Sequence, residues 1–258
     1  MRSEDKELSN LLNELNKYIN NRLITERDSV PVKLRLKSHK PERNSSAIPI
    51  FPPVVSHDNA SSELEALRRD VLKCNLCELC KTKKNYVFGE GDHSAGLMFI
   101  GEAPGYSEDI QGRPFVGRAG QLLDKILKAM GLNRETVYIA NILKCRPPNN
   151  RNPLPAEIES CKYYLTKQVE LIKPSVICAL GLFAGQFLLD NPTLRIGEIR
   201  GKQYDYQGIP VIPTYHPAYL LRSPGQKKVV WEDMIKIMQL LGLKNKYTKP
   251  FQNEDRDK

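Results

Sequence analysis

Residues 96–109, GLMFIGEAPGYSED, join a short apolar run to a glycine-rich turn with acidic side chains. The run at 96–100 is too short for a buried helix and is rich in strand-forming residues, so it predicts a buried strand. Three further runs have the same character, and they lie at 137–143 (VYIANIL), 175–180 (SVICAL) and 209–212 (IPVI). The sequence therefore predicts four buried strands.

Helical patterns lie between these strands, with apolar residues spaced along one helix face. They are found at 119–130, 155–172, 181–189 and 227–241. Alternating strands and helices are typical of a parallel sheet with both faces covered. We therefore predict an α/β fold, three-layer αβα with a central four-stranded parallel sheet.

The folded domain is predicted to cover residues 62–243. Ser62 and Glu65 have the spacing of a capping box, which predicts a helix beginning at this point. Residues 244–258 are polar, so we expect them to form a tail rather than part of the core.

Residues 1–61 are predicted to form a flexible basic extension. Its first part, 4–23, has apolar residues at helical spacing, which predicts a short amphipathic helix. Residues 29–60 are rich in Ser, Pro, Asn and charge, and they cannot bury enough apolar surface to fold. We expect the basic cluster to be solvated, with a DNA-contacting arm as the alternative. The extension is also a candidate for recruiting a replication or repair partner.

The charge balance favours a polyanionic partner. The chain has 39 Lys and Arg against 30 Asp and Glu, and this excess would steer it toward phosphates. No run approaches the roughly 18 apolar residues that span a bilayer, and no apolar signal stretch follows the first residues. We therefore expect a cytoplasmic protein with no membrane partner, in which the six cysteines serve roles other than disulfides.

Polar side chains follow three of the four predicted strands. Glu102 and Glu108 follow the first strand, Asn141 lies near the end of the second, and His216 follows the fourth. In an open parallel sheet, ligands bind beyond the carboxyl ends of the strands. Carboxylates orient water, an amide donates and accepts at once, and imidazole can change its charge. Each residue alone could be structural, but together they predict a hydrolytic site.

The cysteines form a second group of candidate functional residues. Cys74 and Cys77 form a CxxC pair, Cys80 follows closely, and Cys145 and Cys161 lie further along the chain. A CxxC pair can reach one metal centre from a single turn, and two further thiolates complete a four-cysteine site. Spacing alone leaves zinc and an iron–sulfur cluster open, and it leaves Cys80 open as a replacement for Cys77.

Longer motifs carry a family resemblance. They are GEAPGYSED (101–109), GRPFVGRAGQLLD (112–124), NILKCRPPNNRNP (141–153), CALG (178–181) and TYHPAYLLR (214–222). With the cysteines, they resemble the family 4 uracil-DNA glycosylases, bacterial and archaeal enzymes that carry a [4Fe–4S] cluster. The resemblance covers roughly residues 62–243. It implies an enzyme that flips uracil out of DNA and hydrolyses its bond to the sugar, which initiates base excision repair of this DNA damage.

The resemblance implies a pocket for the flipped base. Phe115 is expected to stack on uracil, and Asn141 is expected to hydrogen-bond its edge. Gly101 and Ala103, in the first motif, are also expected to bind the base.

Catalytic roles are implied for four residues. His216 would stabilise negative charge on the uracil oxygen as the bond breaks. Glu102 and Glu108 would support the cationic sugar or position water, and Asn150 would assist Glu108. The implied enzyme is monofunctional and leaves an abasic site, because no lysine nucleophile is implied.

The resemblance also implies how the cofactor and DNA are held. The implied ligands of the [4Fe–4S] cluster, with zinc as the alternative metal, are Cys74, Cys77, Cys145 and Cys161. Arg222, Ser223 and Pro224 resemble a loop that enters the minor groove, so uracil-containing single- and double-stranded DNA are the expected substrates. A monomer is expected.

Two other functions remain open. The first is a non-catalytic module in which the cysteines fold a platform that binds single-stranded or damaged DNA. It leaves the carboxylate, amide and histidine set at the strand ends unexplained. The second is a glycosylase of the same fold that acts mainly on another base, such as hypoxanthine. Asn141 with Phe115 favours uracil over this alternative.

Overall fold

Six strands form one sheet in the computed structural model, which describes residues 57–243. In chain order they are β1 (Glu90–Gly91), β2 (Leu97–Gly101), β3 (Tyr138–Asn141), β4 (Val176–Leu180), β5 (Tyr204–Tyr206) and β6 (Ile209–Thr214).

The order of the strands in the sheet is β1-β3-β2-β4-β6-β5. The central strands β3, β2, β4 and β6 are parallel, which confirms the predicted four-stranded parallel sheet. The edge strands β1 and β5 are antiparallel to their neighbours and were not predicted. Gly101 pairs with Asn141 across β2 and β3, so these two residues lie side by side at the carboxyl edge of the sheet.

Nine α-helices accompany the sheet within residues 57–243. They are α1 (His57–Val71), α2 (Leu79–Thr82), α3 (Tyr106–Gln111), α4 (Arg118–Met130), α5 (Pro155–Ile172), α6 (Leu182–Leu188), α7 (Ile196–Ile199), α8 (Pro217–Arg222) and α9 (Lys227–Leu240). The four predicted helical patterns are confirmed as α4, α5, α6 and α9. The predicted helix start at Ser62 is wrong, because α1 already begins at His57 and Ser62 lies within it.

The helices form layers on both faces of the sheet. The chain moves in opposite directions along the sheet from β2 to β3 and from β3 to β4, so right-handed crossovers place α4 and α5 on opposite faces. Buried residues of α1, α5 and α6, including Leu64, Leu165 and Ala184, share one hydrophobic cluster. On the other face, α4 packs against α8 and α9. The three-layer αβα prediction is therefore confirmed.

Residues 1–56 and 244–258 lie outside the described range. The basic extension, its helix at 4–23 and the polar tail therefore remain predictions, as do the exact domain boundaries. Within residues 57–243, no helix combines the length and the apolar character that crossing a bilayer requires.

Candidate active site

The candidate pocket lies where β2 and β3 end. A β-carbon added to Gly101 would lie 2.4 Å from Oδ1 of Asn141 and 2.5 Å from Cζ of Phe115. Both distances are too short for a real side chain, so only glycine fits between the amide and the ring. The structure thus brings together three of the residues predicted to bind the base.

Asn141 places an unused acceptor in this pocket. The residue is only 2% exposed, and its Oδ1 atom is buried with no hydrogen-bond partner among residues 57–243. Leaving such an atom unpaired costs about 1–3 kcal/mol, so a ligand with an N–H group at this point would recover that cost. The backbone oxygen of Asn141 is held by the buried ammonium of Lys144, with a distance of 2.7 Å from Nζ.

The ring of His216 lies beside that of Phe115, with 5.5 Å between the ring centroids. Its Nδ1 accepts a hydrogen bond of 3.1 Å from the backbone N–H of Ala218, which caps α8. Burial and the charge of Arg222 together lower the pKa of His216 to about 4, although the charge of Glu108 opposes the shift. The imidazole is therefore neutral near pH 7. Since Nδ1 is an acceptor, the proton is on Nε2.

Glu108 supports the loop that carries Phe115. Its Oε1 accepts hydrogen bonds of 2.8 Å from the backbone N–H groups of both Val116 and Gly117. This carboxylate therefore positions the loop, a role that its motif did not reveal. Its expected catalytic role stays a prediction.

Arg134 holds the same loop through its carbonyl groups. Its guanidinium donates to the backbone oxygen of Pro114 at 3.0 Å and to that of Phe115. It also forms ion pairs with Glu90 and Asp124. Phe115 has a φ of 52°, a left-handed conformation that costs of order 1–3 kcal/mol outside glycine. Arg134 was not predicted as a site residue because it lies in none of the motifs.

Glu102 lies directly after β2, beside the pocket. Burial raises the pKa of its carboxyl to about 7, so protonated and ionised forms coexist near neutral pH. Its backbone oxygen accepts from the N–H of Leu143 at 3.1 Å, which ties the first motif to the segment after β3. Ala103 is partly buried and packs against the hydrophobic core, and its base-binding role stays a prediction.

Asn150 has a different neighbour from the one expected. Its Oδ1 accepts a hydrogen bond of 2.7 Å from Nε of Arg146, and within residues 57–243 no hydrogen bond joins it to Glu108. The predicted DNA-contacting residues Arg222, Ser223 and Pro224 form the end of α8 and the turn after it. Arg222 and Pro224 are exposed, so they are accessible to a ligand.

Five cysteines line one cavity on the α1 side of this site. They are Cys74, Cys77, Cys80, Cys145 and Cys161. Burial raises the pKa of Cys161 to about 11, and it also raises the pKa values of Cys145 and Cys77. These thiols would ionise readily only beside a cation, as metal ligands do. The described residues contain no group of three or more His, Cys, Asp or Glu side chains that could hold a single metal ion.

The thiols of this cavity raise one another's pKa values, and Cys80 takes part because its charge raises the pKa of Cys77. After burial, the charges of Cys161, Cys77 and Cys74 raise the pKa of Cys145. The charges of Cys74 and Cys77 also raise that of Cys161. These four side chains therefore lie within electrostatic reach of one another.

Comparison with known proteins gives a consistent picture. The family model of the uracil DNA glycosylase superfamily matches residues 88–235. A type-4 uracil-DNA glycosylase of Archaeoglobus fulgidus is 47% identical over 188 residues, covering 70% of this chain and 94% of that protein. One of Thermotoga maritima is 46% identical over 176 residues, with coverages of 67% and 92%. A type-5 uracil-DNA glycosylase of Pyrobaculum aerophilum is 30% identical over 155 residues, with coverages of 54% and 68%.

Proposed function

The chain belongs to the type-4 uracil-DNA glycosylases of the uracil DNA glycosylase superfamily, and we propose that the pocket between Gly101, Phe115, Asn141 and His216 is where it excises uracil. As a DNA glycosylase, it hydrolyses the N-glycosidic bond that joins the base to the sugar. The observation that carries the site assignment is the buried, unpaired Oδ1 of Asn141 beside a ring that can stack on a base.

Recognition of uracil follows from the donors and acceptors of this pocket. The Oδ1 atom of Asn141 can accept the N3–H of uracil, while the amide N–H can donate to a carbonyl oxygen of the base. Phe115 supplies the stacking surface for a base turned out of the helix. A base without a donor at N3 would leave the buried acceptor unpaired, so the pocket discriminates against it.

Bond cleavage moves an electron pair from the C1′–N1 bond onto the uracil ring. The Nε2–H of His216 donates a hydrogen bond to the uracil oxygen on which negative charge grows. The sugar becomes cationic, water adds its oxygen at C1′, and the proton that the water loses passes to the departing uracil anion, so that neutral uracil is released. The ionised carboxylate of Glu102 would favour the cation or this water, and Glu108 would hold the loop that carries Phe115 through Val116 and Gly117. An abasic site remains, and base excision repair begins there.

The ligands of a [4Fe–4S] cluster would be Cys74, Cys77, Cys145 and Cys161. When bound, the cluster would cross-link the segment after α1, the segment after β3 and α5. A zinc ion, the alternative, needs four ligands that converge on one point at about 2.3 Å. The thiols surround a cavity but, among the described residues, do not converge on one point. This arrangement suits a cluster, which is larger than a single ion.

DNA is the substrate of this family, and we propose that both single and double strands carrying uracil are bound. Arg222, Ser223 and Pro224 would contact the strand beside the flipped nucleotide. The protein would act as a monomer, since all the proposed catalytic and base-binding residues come from one chain.

The test uses cluster-containing full-length protein and two single-stranded oligonucleotides that differ only in carrying uracil or cytosine at one position. Chromatography of the free base should show release of uracil alone, since cytosine lacks the N3–H donor. Asn141→Asp replaces the N–H donor with an acceptor, so uracil release should fall about 100-fold or more, from about 3 kcal/mol of lost recognition. An unaltered uracil oligonucleotide with an intact cluster would overturn the proposal and favour the DNA-binding module.

A further inference from the structure

Arg146 forms an ordered group with two neighbours at the rim of the pocket. Its guanidinium carbon lies 5.1 Å from the ring centroid of Tyr106, and its Nε donates to Oδ1 of Asn150 at 2.7 Å. Tyr106 follows β2 and is 58% exposed, whereas Arg146 follows β3. The group therefore lies at the carboxyl edge of the sheet, beside the first pocket loop.

The partners of Arg146 leave its charge uncompensated. Arg151, five residues further on, forms an ion pair with Glu157, and such a partner occupies the guanidinium. Arg146 instead contacts an aromatic ring and a neutral amide, and no carboxylate of residues 57–243 forms an ion pair with it. A held guanidinium of this kind loses little side-chain entropy when it binds an anion, and its fork of donors matches phosphate oxygens.

Strand order places this arginine on the opposite side of the pocket from Arg222. Arg146 follows β3 and Arg222 lies in α8 after β6, with β2 and β4 between these strands. Strands β3 and β6 are therefore three strand spacings apart, or about 14 Å. A stacked DNA strand advances about 3.4 Å per nucleotide, so this width corresponds to about four nucleotides. The candidate pocket lies between these two strand ends, so a DNA strand that crosses it would have its flipped nucleotide between the segments that carry the two arginines.

We propose that Arg146, held by Tyr106 and Asn150, binds a backbone phosphate of the damaged strand on the side of the pocket opposite Arg222. The proposal rests on the proposed DNA substrate. It extends the DNA-contacting set beyond the turn after α8, and it places one contact next to Cys145. The segment that carries a cluster ligand would then also carry a DNA contact.

The test measures binding of the cluster-containing full chain to a single-stranded thymine oligonucleotide by fluorescence anisotropy, from about 50 mM to about 200 mM salt. Arg146→Gln should weaken binding about fivefold and lower the slope of log K against log salt by about 0.7, the value for one phosphate of a single strand. Lys173→Gln is the matched control. Lys173 is exposed and precedes β4, at the opposite edge of the sheet, so its removal should leave the slope unchanged.

A second measurement uses the unmodified protein, because a change beside Cys145 could impair cluster loading. Neutral methylphosphonates replace, one at a time, the linkages of an oligonucleotide with a single 2′-fluoro-2′-deoxyuridine, whose base resists release and fixes the position that enters the pocket. Binding should weaken when the replaced linkage lies on either side of the base that enters the pocket. In Arg146→Gln, replacing the linkage on the Arg146 side should weaken binding no further. An unchanged slope in a cluster-containing Arg146→Gln protein, or sensitive linkages on one side only, would overturn the proposal. Neither readout requires base release, so failure of the proposed function would be seen separately.

Discussion

The uracil pocket and the cysteine cavity adjoin each other after β3, but they are stabilised in different ways. In the proposed pocket, protein contacts hold the two rings: Ala218 fixes the His216 ring, and Gly101 leaves room for Phe115. In the cavity, burial and mutual repulsion raise the pKa values of the thiols, so their charged form needs a cation. The proposed pocket is therefore formed by the protein alone, whereas the cysteine site would be completed by the proposed cofactor.

Lys144 connects the two regions. Its side chain is fully buried and donates to the backbone oxygen of Asn141 and to Oε1 of Gln168 at 2.6 Å. It also lines the cysteine cavity. Burial lowers the pKa of Lys144 to about 8, although the charge of Cys161 opposes this shift. Damage to the cysteine site should therefore reach the base-reading amide, whereas damage to the pocket should leave the cysteine site intact.

The largest effect is expected from Cys161→Ser. Loss of a cluster ligand should remove the visible absorbance and the bound iron and destabilise the protein by about 3 kcal/mol or more. The melting temperature should then fall by about 10 °C. Cys80→Ser is the matched control in the same cavity, and it should retain both iron and stability. Equal losses in the two variants would show that the ligand set is wrong.

His216→Ala should impair catalysis without touching the cysteine site. Removal of the hydrogen bond to the leaving uracil should lower kcat by about 10²–10³, with iron content unchanged. His93→Ala serves as a control, since His93 contacts Ser61 away from the pocket. Single-turnover release of uracil is the measurement. A change below about threefold would rule out His216 as the main stabiliser of the leaving base.

Arg134→Gln tests whether the pocket depends on contacts outside the motifs. Loss of the bonds to the carbonyl groups of Pro114 and Phe115 should let the stacking ring move, lowering kcat/KM by about 10- to 100-fold. Arg113→Gln is the control, because Arg113 shares the partner Glu90 but is more exposed. If both variants lose the same activity, the effect comes from Glu90 rather than from the loop.

The smallest effect concerns pH. The carboxylate form of Glu102 is the active one in the proposed mechanism, and its pKa is about 7, so kcat/KM should rise as pH increases through 7. His216, with a pKa of about 4, should contribute no change between about pH 5.5 and 9. Glu102→Gln should be slower and should lose this rise. A rise near pH 7 that persists in the variant would assign it to another group.

The sequence predicts the central sheet well because its strands are covered on both faces and are continuously apolar. The edge strands were missed because β1 has two residues and β5 three, too few for a recognisable pattern. The start of α1 was also missed, since Ser62 and Glu65 have capping-box spacing although both lie inside the helix. Local patterns of this kind cannot reveal that a helix extends further toward the N-terminus.

The motifs predict the residues of the pocket but not how they are held. Gly101, Phe115, Asn141 and His216 come together because strand ends meet at one edge, which sequence order already implies. The loop contacts of Arg134 and Glu108 and the pairing of Asn150 with Arg146 depend on loop conformation, including the left-handed backbone at Phe115. No periodicity or spacing encodes that conformation.

The most direct test of a pocket formed before DNA binds is ¹⁵N NMR of histidine-labelled full-length protein titrated from about pH 8 to pH 5, a range above the His216 pKa of about 4. The account predicts that the His216 ring stays neutral throughout, with its proton on Nε2 and Nδ1 as an acceptor. His216→Ala assigns the signal. An imidazolium signal at pH 6.5–7, or a proton on Nδ1, would contradict the account because the ring would then not be preset for the leaving uracil.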